Sequence, residues 1–342
     1  MNIFIILVTA ANAIFPILLL ILLGYFLKRW KFVNEDFLKL GNKLVFNICL
    51  PAMLFINVYN IESFASIAWD IVFYSTAAIV VLFLIGLGMA VIVTKEPLRR
   101  GVLVQCAFRS NYALIGLSLV SALGGDGALA IASILSAFTI PVFNILAVIA
   151  LSMFTGKALS WRETLRDMAV KIAKNPLILA ILLALGCLGL REAQIEIFGQ
   201  TVFTLRDQVP FLYTALNNLK AIASPFAMLV LGGQFAFSAV KGMWREITAG
   251  TVFRLVLAPL LGIGGAVVLS RIGILHCGTE VYPGLVALFG SPVAVSSAIM
   301  ATSMGNDKQL ATQLVVWTSL CSIVTVFVTV CLLMAGGLIM PG

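Results

Sequence analysis

The chain has 342 residues, 61% of them hydrophobic and 11% charged, with a net charge of +8. Soluble domains carry roughly 25% charged residues, so this balance excludes a water-soluble globular fold and makes lipid the solvent. The positive charge does not mark a nucleic-acid binder, because the basic residues sit at the ends of apolar runs and not in one stripe.

Taken from the N-terminus, the apolar runs predict ten membrane spans, at about 4–27, 37–59, 68–94, 101–121, 128–154, 175–190, 209–236, 246–270, 281–303 and 310–338. Thr9-Ala10-Ala11-Asn12-Ala13 imitates a cleavage site, but no Lys or Arg precedes it, and it reads as the lead-in to the first span. The first connection holds Lys28, Arg29, Lys31 and Lys39, and the third holds Lys95, Arg99 and Arg100. The fifth holds Lys157, Arg162, Arg166, Lys171 and Lys174; the seventh adds Lys241 and Arg245, and the ninth Lys308. Even-numbered connections carry only Arg191, Arg206 and Arg271. Cations mark the cytoplasmic side, so the expected placement is a multi-pass protein of the inner (plasma) membrane with both termini outside.

A shift of 181 residues lays part of the first half on the second. Phe108 meets Phe289, Ser110 meets Ser291, Ala113 meets Ala294, Gly124 meets Gly305 and Asp126 meets Asp307, followed by Leu129-Ala130 on Leu310-Ala311. Each copy would hold five spans, an odd number, which forces the second copy to start on the opposite side of the bilayer. The expected fold is therefore an all-α membrane protein of two inverted five-helix repeats, 1–154 and 175–342, joined by a cytoplasmic connection at 155–174.

Under that shift Asn111 in span four aligns with Pro292 in span nine, and both fall near the middle of a roughly 30 Å hydrocarbon layer. Gly290-Ser291-Pro292 removes a backbone donor and disfavours helix just before the proline, which predicts a break in span nine. Arg109-Ser110-Asn111-Tyr112 contains no Gly or Pro, so a break in span four rests on the repeat alone. Two broken helices that cross would aim two helix N-termini at one place, where unpaired N–H groups favour a carboxylate. Taken alone, Asn111 also suits an interhelical hydrogen bond and Pro292 an ordinary kink. Ser296 and Ser297 read as packing residues.

Three cations lie within spans: Arg109, Lys220 and Arg254. A charge in the bilayer marks function or a specific partner. Arg109 and Lys220 are expected to shape an anion path, and Arg254 to serve a structural partner. No Asp or Glu lies deep in a span; Glu35, Asp36, Glu62, Asp70, Asp126 and Asp307 all fall near connections. That excludes the buried carboxylates of a paired-aspartate cation antiporter and favours an anionic substrate. The single histidine, His276, sits in a connection, and no HExxH, GxSxG or P-loop motif occurs, so no enzyme activity, cofactor or metal is expected.

Several short stretches, in this order, resemble bacterial members of the auxin efflux carrier family, relatives of the plant PIN-formed carriers. They are Ile14-Phe15-Pro16 with Gly24-Tyr25, Leu50-Pro51-Ala52-Met53-Leu54-Phe55, Ser110-Asn111-Tyr112-Ala113-Leu114-Ile115-Gly116, Asn175-Pro176-Leu177, Ser291-Pro292-Val293-Ala294-Val295 and Met304-Gly305-Asn306-Asp307. The resemblance implies a scaffold of spans one, two, six and seven and a moving core of spans three to five and eight to ten. It implies broken helices four and nine crossing at the substrate, elevator-type alternating access and a homodimer. The family's span-four asparagine falls on Asn111 and its crossover proline on Pro292. Relatives usually have Gly or another small residue soon after that asparagine and a proline further on; here Tyr112-Ala113 and Ser118 stand there, which leaves the sharpness of that break open.

The function expected is secondary transport of a small organic anion, a mono- or dicarboxylate such as malate, malonate or an auxin-like acid. Asn111, Pro292, Ser110, Tyr112, Ser291, Arg109 and Lys220 are the expected substrate residues, and the bilayer is the surrounding partner. Two alternatives share the fold: a sodium-coupled symporter of the bile-acid-carrier type, with oxygens from Asn47, Gln105, Asn144 and Gln313, and a membrane ligand sensor that moves nothing.

Overall fold

The structure is a computed structural model and describes residues 3–61, 63–64, 67–155, 170, 174–234 and 242–339. Most of the connection expected at 155–174 lies outside the described residues, with Lys157, Arg162, Arg166 and Lys171, and so does Lys241.

Among the described residues the regular elements are all helices, with no strand beyond one isolated bridge. The elements in chain order are α1 (Ile3–Arg29), α2 (Glu35–Tyr59), α3 (Trp69–Val93), α4 (Pro97–Phe108), α5 (Tyr112–Ser152), α6 (Pro176–Phe198), α7 (Pro210–Gly233), α8 (Trp244–Arg271), α9 (Val281–Gly290), α10 (Val295–Ser303) and α11 (Lys308–Ala335). Eight of them, all but α4, α9 and α10, are long and apolar enough to cross a membrane. Their exposed faces are as apolar as their buried ones (Leu19, Phe73, Leu183, Val324), as surfaces bathed in hydrocarbon require.

The count falls below ten for two reasons. The runs expected at 101–121 and 281–303 are each cut by an extended stretch, leaving pieces too short to span alone. Further on, α5 absorbs two expected spans into one run; Gly125, at φ 64 and ψ −160, breaks it where the connection between spans four and five was expected. Only glycine adopts that backbone without strain.

Prolines at Pro97, Pro176 and Pro210 open α4, α6 and α7, where a missing N–H costs nothing. Asn175 and Asp307 cap α6 and α11 by accepting from Leu177 N at 2.9 Å and Leu310 N at 2.9 Å. One group of contacts joins α1, α7, α2 and α6; another joins α3, α4 and α5, and a third α8 to α11. In the first group α1 and α7 touch backbone to backbone: a side chain at Gly24 would run into the carbonyl of Leu229, and one at Gly232 into that of Ile21.

At one end of the bundle Arg99 bonds Glu246 at 3.0 Å, Asp307 at 3.0 Å and Gly242 O at 3.3 Å, while Asn306 Nδ2 donates to Leu151 O at 2.9 Å. At the other, His276 N donates to Asp70 at 2.9 Å, Lys220 pairs with Asp126 at 3.0 Å, and Arg191 donates to Tyr59 O and Ile61 O. The third, seventh and ninth expected connections thus gather at one end, and the second, fourth, sixth and eighth at the other.

Candidate functional site

The site grows from the two interrupted helices. α4 stops at Phe108, and Arg109 leaves the helix at φ −86, ψ 103; α9 stops at Gly290, and Ser291 leaves at φ −66, ψ 149. Residues 109–111 and 291–294 then run past each other in opposite directions. Ser110 and Val293 form an antiparallel bridge, Asn111 N donates to Pro292 O at 2.7 Å, and Ala294 N donates to Arg109 O at 3.4 Å. Val293 N is satisfied by Thr318 Oγ1 of α11 at 3.1 Å. Helix resumes at Tyr112 (α5) and Val295 (α10).

The break at 109–111 is complete although no Gly or Pro lies in it. Backbone that leaves a helix in hydrocarbon needs new partners, and here the opposite segment supplies them. The π turns Tyr112–Gly116 and Val286–Gly290 flank the crossing, and a third, Phe253–Leu257, carries Arg254 beside it; such turns concentrate at functional positions.

A cavity of about 380 Å³ opens beside the crossing. Its walls are the starts of α5 (Ser110 to Ala113) and α10 (Ala294, Ser296), the start of α6 (Lys174 to Leu177), Asn144 and Phe143 of α5, and Asn47 and Phe46 of α2. Three helix N-termini therefore border one space, each worth roughly half a positive charge. Arg109 and Lys174 add two full cations, and no Asp or Glu is among the described residues that line it.

Arg109 is 8% exposed and has only neutral partners: Asn144 Oδ1 at 3.0 Å, Ser296 Oγ at 3.2 Å and Met300 Sδ at 2.9 Å. With its amide oriented to satisfy both sides, Gln105 also accepts from Arg109 at 3.2 Å and donates to Ser297 O at 3.3 Å. No carboxylate pairs with Arg109 among the described residues. Asn111 is 4% exposed, and its Nδ2 has no partner; the hydroxyls of Ser110, Ser291 and Ser297 are likewise buried without one. Unpaired buried donors are rare enough that each calls for an explanation. Cations without a carboxylate partner among the described residues, and buried donors without acceptors, thus gather at this cavity and at the crossing beside it.

The expected site residues divide on inspection. Arg109, Ser110, Asn111 and Tyr112 line the cavity, whereas Ser291 and Pro292 belong to the extended stretch that crosses 109–111 and do not line it. Tyr112 is buried, and its hydroxyl donates to Ala132 O at 2.9 Å, anchoring α5. Lys220 stands apart: it lines two other cavities, of about 350 and 320 Å³, and pairs with Asp126. Sequence reasoning placed Lys174 only in a connection and Ser296 only in packing. An Asn-Pro helix start preceded by Lys signals a positive helix end, but nothing local says what it faces.

The model of a family described as membrane transport protein matches residues 9–330. Among curated proteins, an uncharacterized transporter of Methanocaldococcus jannaschii is 24% identical over 256 residues, covering 72% of this chain and 76% of that protein.

Proposed function

Because this chain belongs to the membrane transport protein family of auxin efflux carriers and is a multi-pass membrane transporter, we propose that its cargo is a small carboxylate bound at the crossing of the two interrupted helices. The observation that supports this reading best is the Arg109 guanidinium, which has no carboxylate partner among the described residues, close to the unpartnered Asn111 Nδ2. One substrate oxygen meets Arg109, and another meets Asn111 Nδ2 and the free N–H groups at the starts of α5 and α10. Lys174 and the start of α6 raise the potential at the mouth, and Lys220 acts on the path from the opposite side.

In this reading the chain crosses the membrane ten times, with α4 and the first part of α5 making one broken span and α9 with α10 the other. Two inverted five-helix repeats meet at the crossing, and the cation-rich connections face the cytoplasm. The packing of α1, α2, α6 and α7 on one another suits a scaffold, and that of α3–α5 with α8–α11 a core that carries the crossing, as elevator-type alternating access requires. A sodium-coupled variant fits less well. Asn144 Oδ1 already receives Arg109, and a second cation at that oxygen would meet the guanidinium 3.0 Å away.

The test is counterflow in proteoliposomes loaded with a panel of mono- and dicarboxylates, with sodium and pH varied. Saturable, sodium-independent exchange of one acid supports the reading. No exchange of any acid by folded, inserted protein rejects it, and strict sodium dependence would favour the symporter.

A further inference from the structure

Each interrupted helix has a second loose end. The helices that stop at the crossing, α4 and α9, leave carbonyls of their last turns without intrahelical partners, and both ends carry partial negative charge. The two meet at Arg254. Its side chain is fully buried and donates to five carbonyls: Nε to Ser291 O at 2.9 Å, Nη2 to Leu288 O at 2.8 Å and Phe289 O at 3.1 Å, and Nη1 to Phe108 O at 3.2 Å and Ala107 O at 3.4 Å. No carboxylate pairs with it among the described residues, so the two helix ends are its counter-charge. Arg254 does not line the substrate cavity.

We propose that Arg254 is a positioning residue. It fastens the ends of α4 and α9 to each other so that the starts of α5 and α10 stay aimed at the cavity, and it thereby sets the anion affinity of a site it does not touch. The inference rests on the carboxylate reading for its link to affinity, and on geometry alone for the fastening. Its bonds land on the residues immediately before Arg109 and Pro292, so a shift of either helix end moves the cavity wall directly. Without the guanidinium, two negative helix ends would face each other in hydrocarbon with no donor between them. Only a planar fork reaches both ends at once; a lysine ammonium is a point donor that serves one end at a time.

The experiment compares wild type, Arg254→Lys and Arg254→Met by hydrogen exchange in lipid nanodiscs, read on peptides across 107–116 and 288–297 and, as controls, on α1 and α7. Counterflow kinetics of whichever acid the wild type exchanges are measured in parallel. Arg254→Met is expected to speed exchange at both crossing peptides by about tenfold or more while α1 and α7 keep wild-type rates. Arg254→Lys, which preserves the charge, is expected to keep the maximal counterflow rate and raise KM about tenfold. Wild-type protection in Arg254→Met, or a wild-type KM in Arg254→Lys, overturns the proposal. So does loss of protection throughout the bundle in Arg254→Lys, which would make the residue a general fold determinant. If Arg254→Met does not fold, Arg254→Lys carries the exchange test, with intermediate rates expected at the crossing peptides only. If the wild type exchanges no acid, the hydrogen-exchange arm decides alone: local loss upholds the fastening although the carboxylate reading has failed.

Discussion

Arg109→Gln separates binding from folding more cleanly than any other change at the crossing. The guanidinium is 8% exposed and its partners are neutral, so in the empty protein it is a buried cation without a counter-charge. Replacing it by a shorter, neutral amide removes a desolvation cost, and unliganded stability should hold or rise. With an anion bound the sign reverses. Opposite unit charges about 4 Å apart attract by about 4 kcal/mol at an effective dielectric of about 20. If half survives desolvation of the acid, Arg109→Gln loses about 2 kcal/mol of binding, or about 30-fold in affinity. The assay pairs counterflow KM with thermal unfolding, with and without the exchanged acid, because a ligand that binds the folded state raises its melting point by mass action. The expected pattern is an unchanged or higher melting point without acid, little ligand-induced shift, and a KM raised about 30-fold. A wild-type KM would refute the argument, and so would a variant that unfolds without ligand, since Arg109 would then serve the fold.

Asn111→Ala removes one hydrogen bond to a charged group, worth about 1.5–3 kcal/mol, so KM for the exchanged acid should rise about 10- to 100-fold with no change in melting point. Lys220→Gln should leave that KM within about threefold, because its partner Asp126 is 90% exposed in side chain and such pairs contribute under about 1 kcal/mol; the same counterflow series reads this directly. Gly232→Val drives a branched side chain into the Ile21 carbonyl and should cost at least about 1–3 kcal/mol, measured as a lower melting point in detergent.

The long spans were legible because the bilayer dictates length and composition together: α1, α3, α6, α7 and α11 each overlie an expected run. Pro292 announced the break at 291–294 through its own chemistry. The break at 109–111 had no such local sign. Its backbone is satisfied by Pro292, by Ala294 and by the bridge to Val293, while Arg254 holds the carbonyls just before it, all far away in sequence. The repeat, which laid Asn111 on Pro292, and the family resemblance pointed there, and those two residues do bond. Lys174 escaped for the same reason, since its role depends on what the start of α6 faces. Lys220 shows the converse: its depth in an apolar run suggested a place at the crossing, but the fold brings it to Asp126 instead. A one-dimensional reading ranks cations by depth; only the packing decides which of them share a cavity.

That no carboxylate pairs with Arg109 among the described residues also bears on membrane voltage. In a site that moves through the bilayer as proposed, Arg109 gives the empty crossing a positive charge that a bound monoanion would neutralise. Arg254 would travel with the crossing in both forms and so leaves the difference between them unchanged. A charge crossing the full field is worth about 2.3 kcal/mol per 100 mV, and that energy falls on the return of the empty site. A dianion inverts the bookkeeping: its loaded form would be net negative. The guanidinium proposed to select an anion would thus also decide which half of the proposed cycle the membrane potential drives.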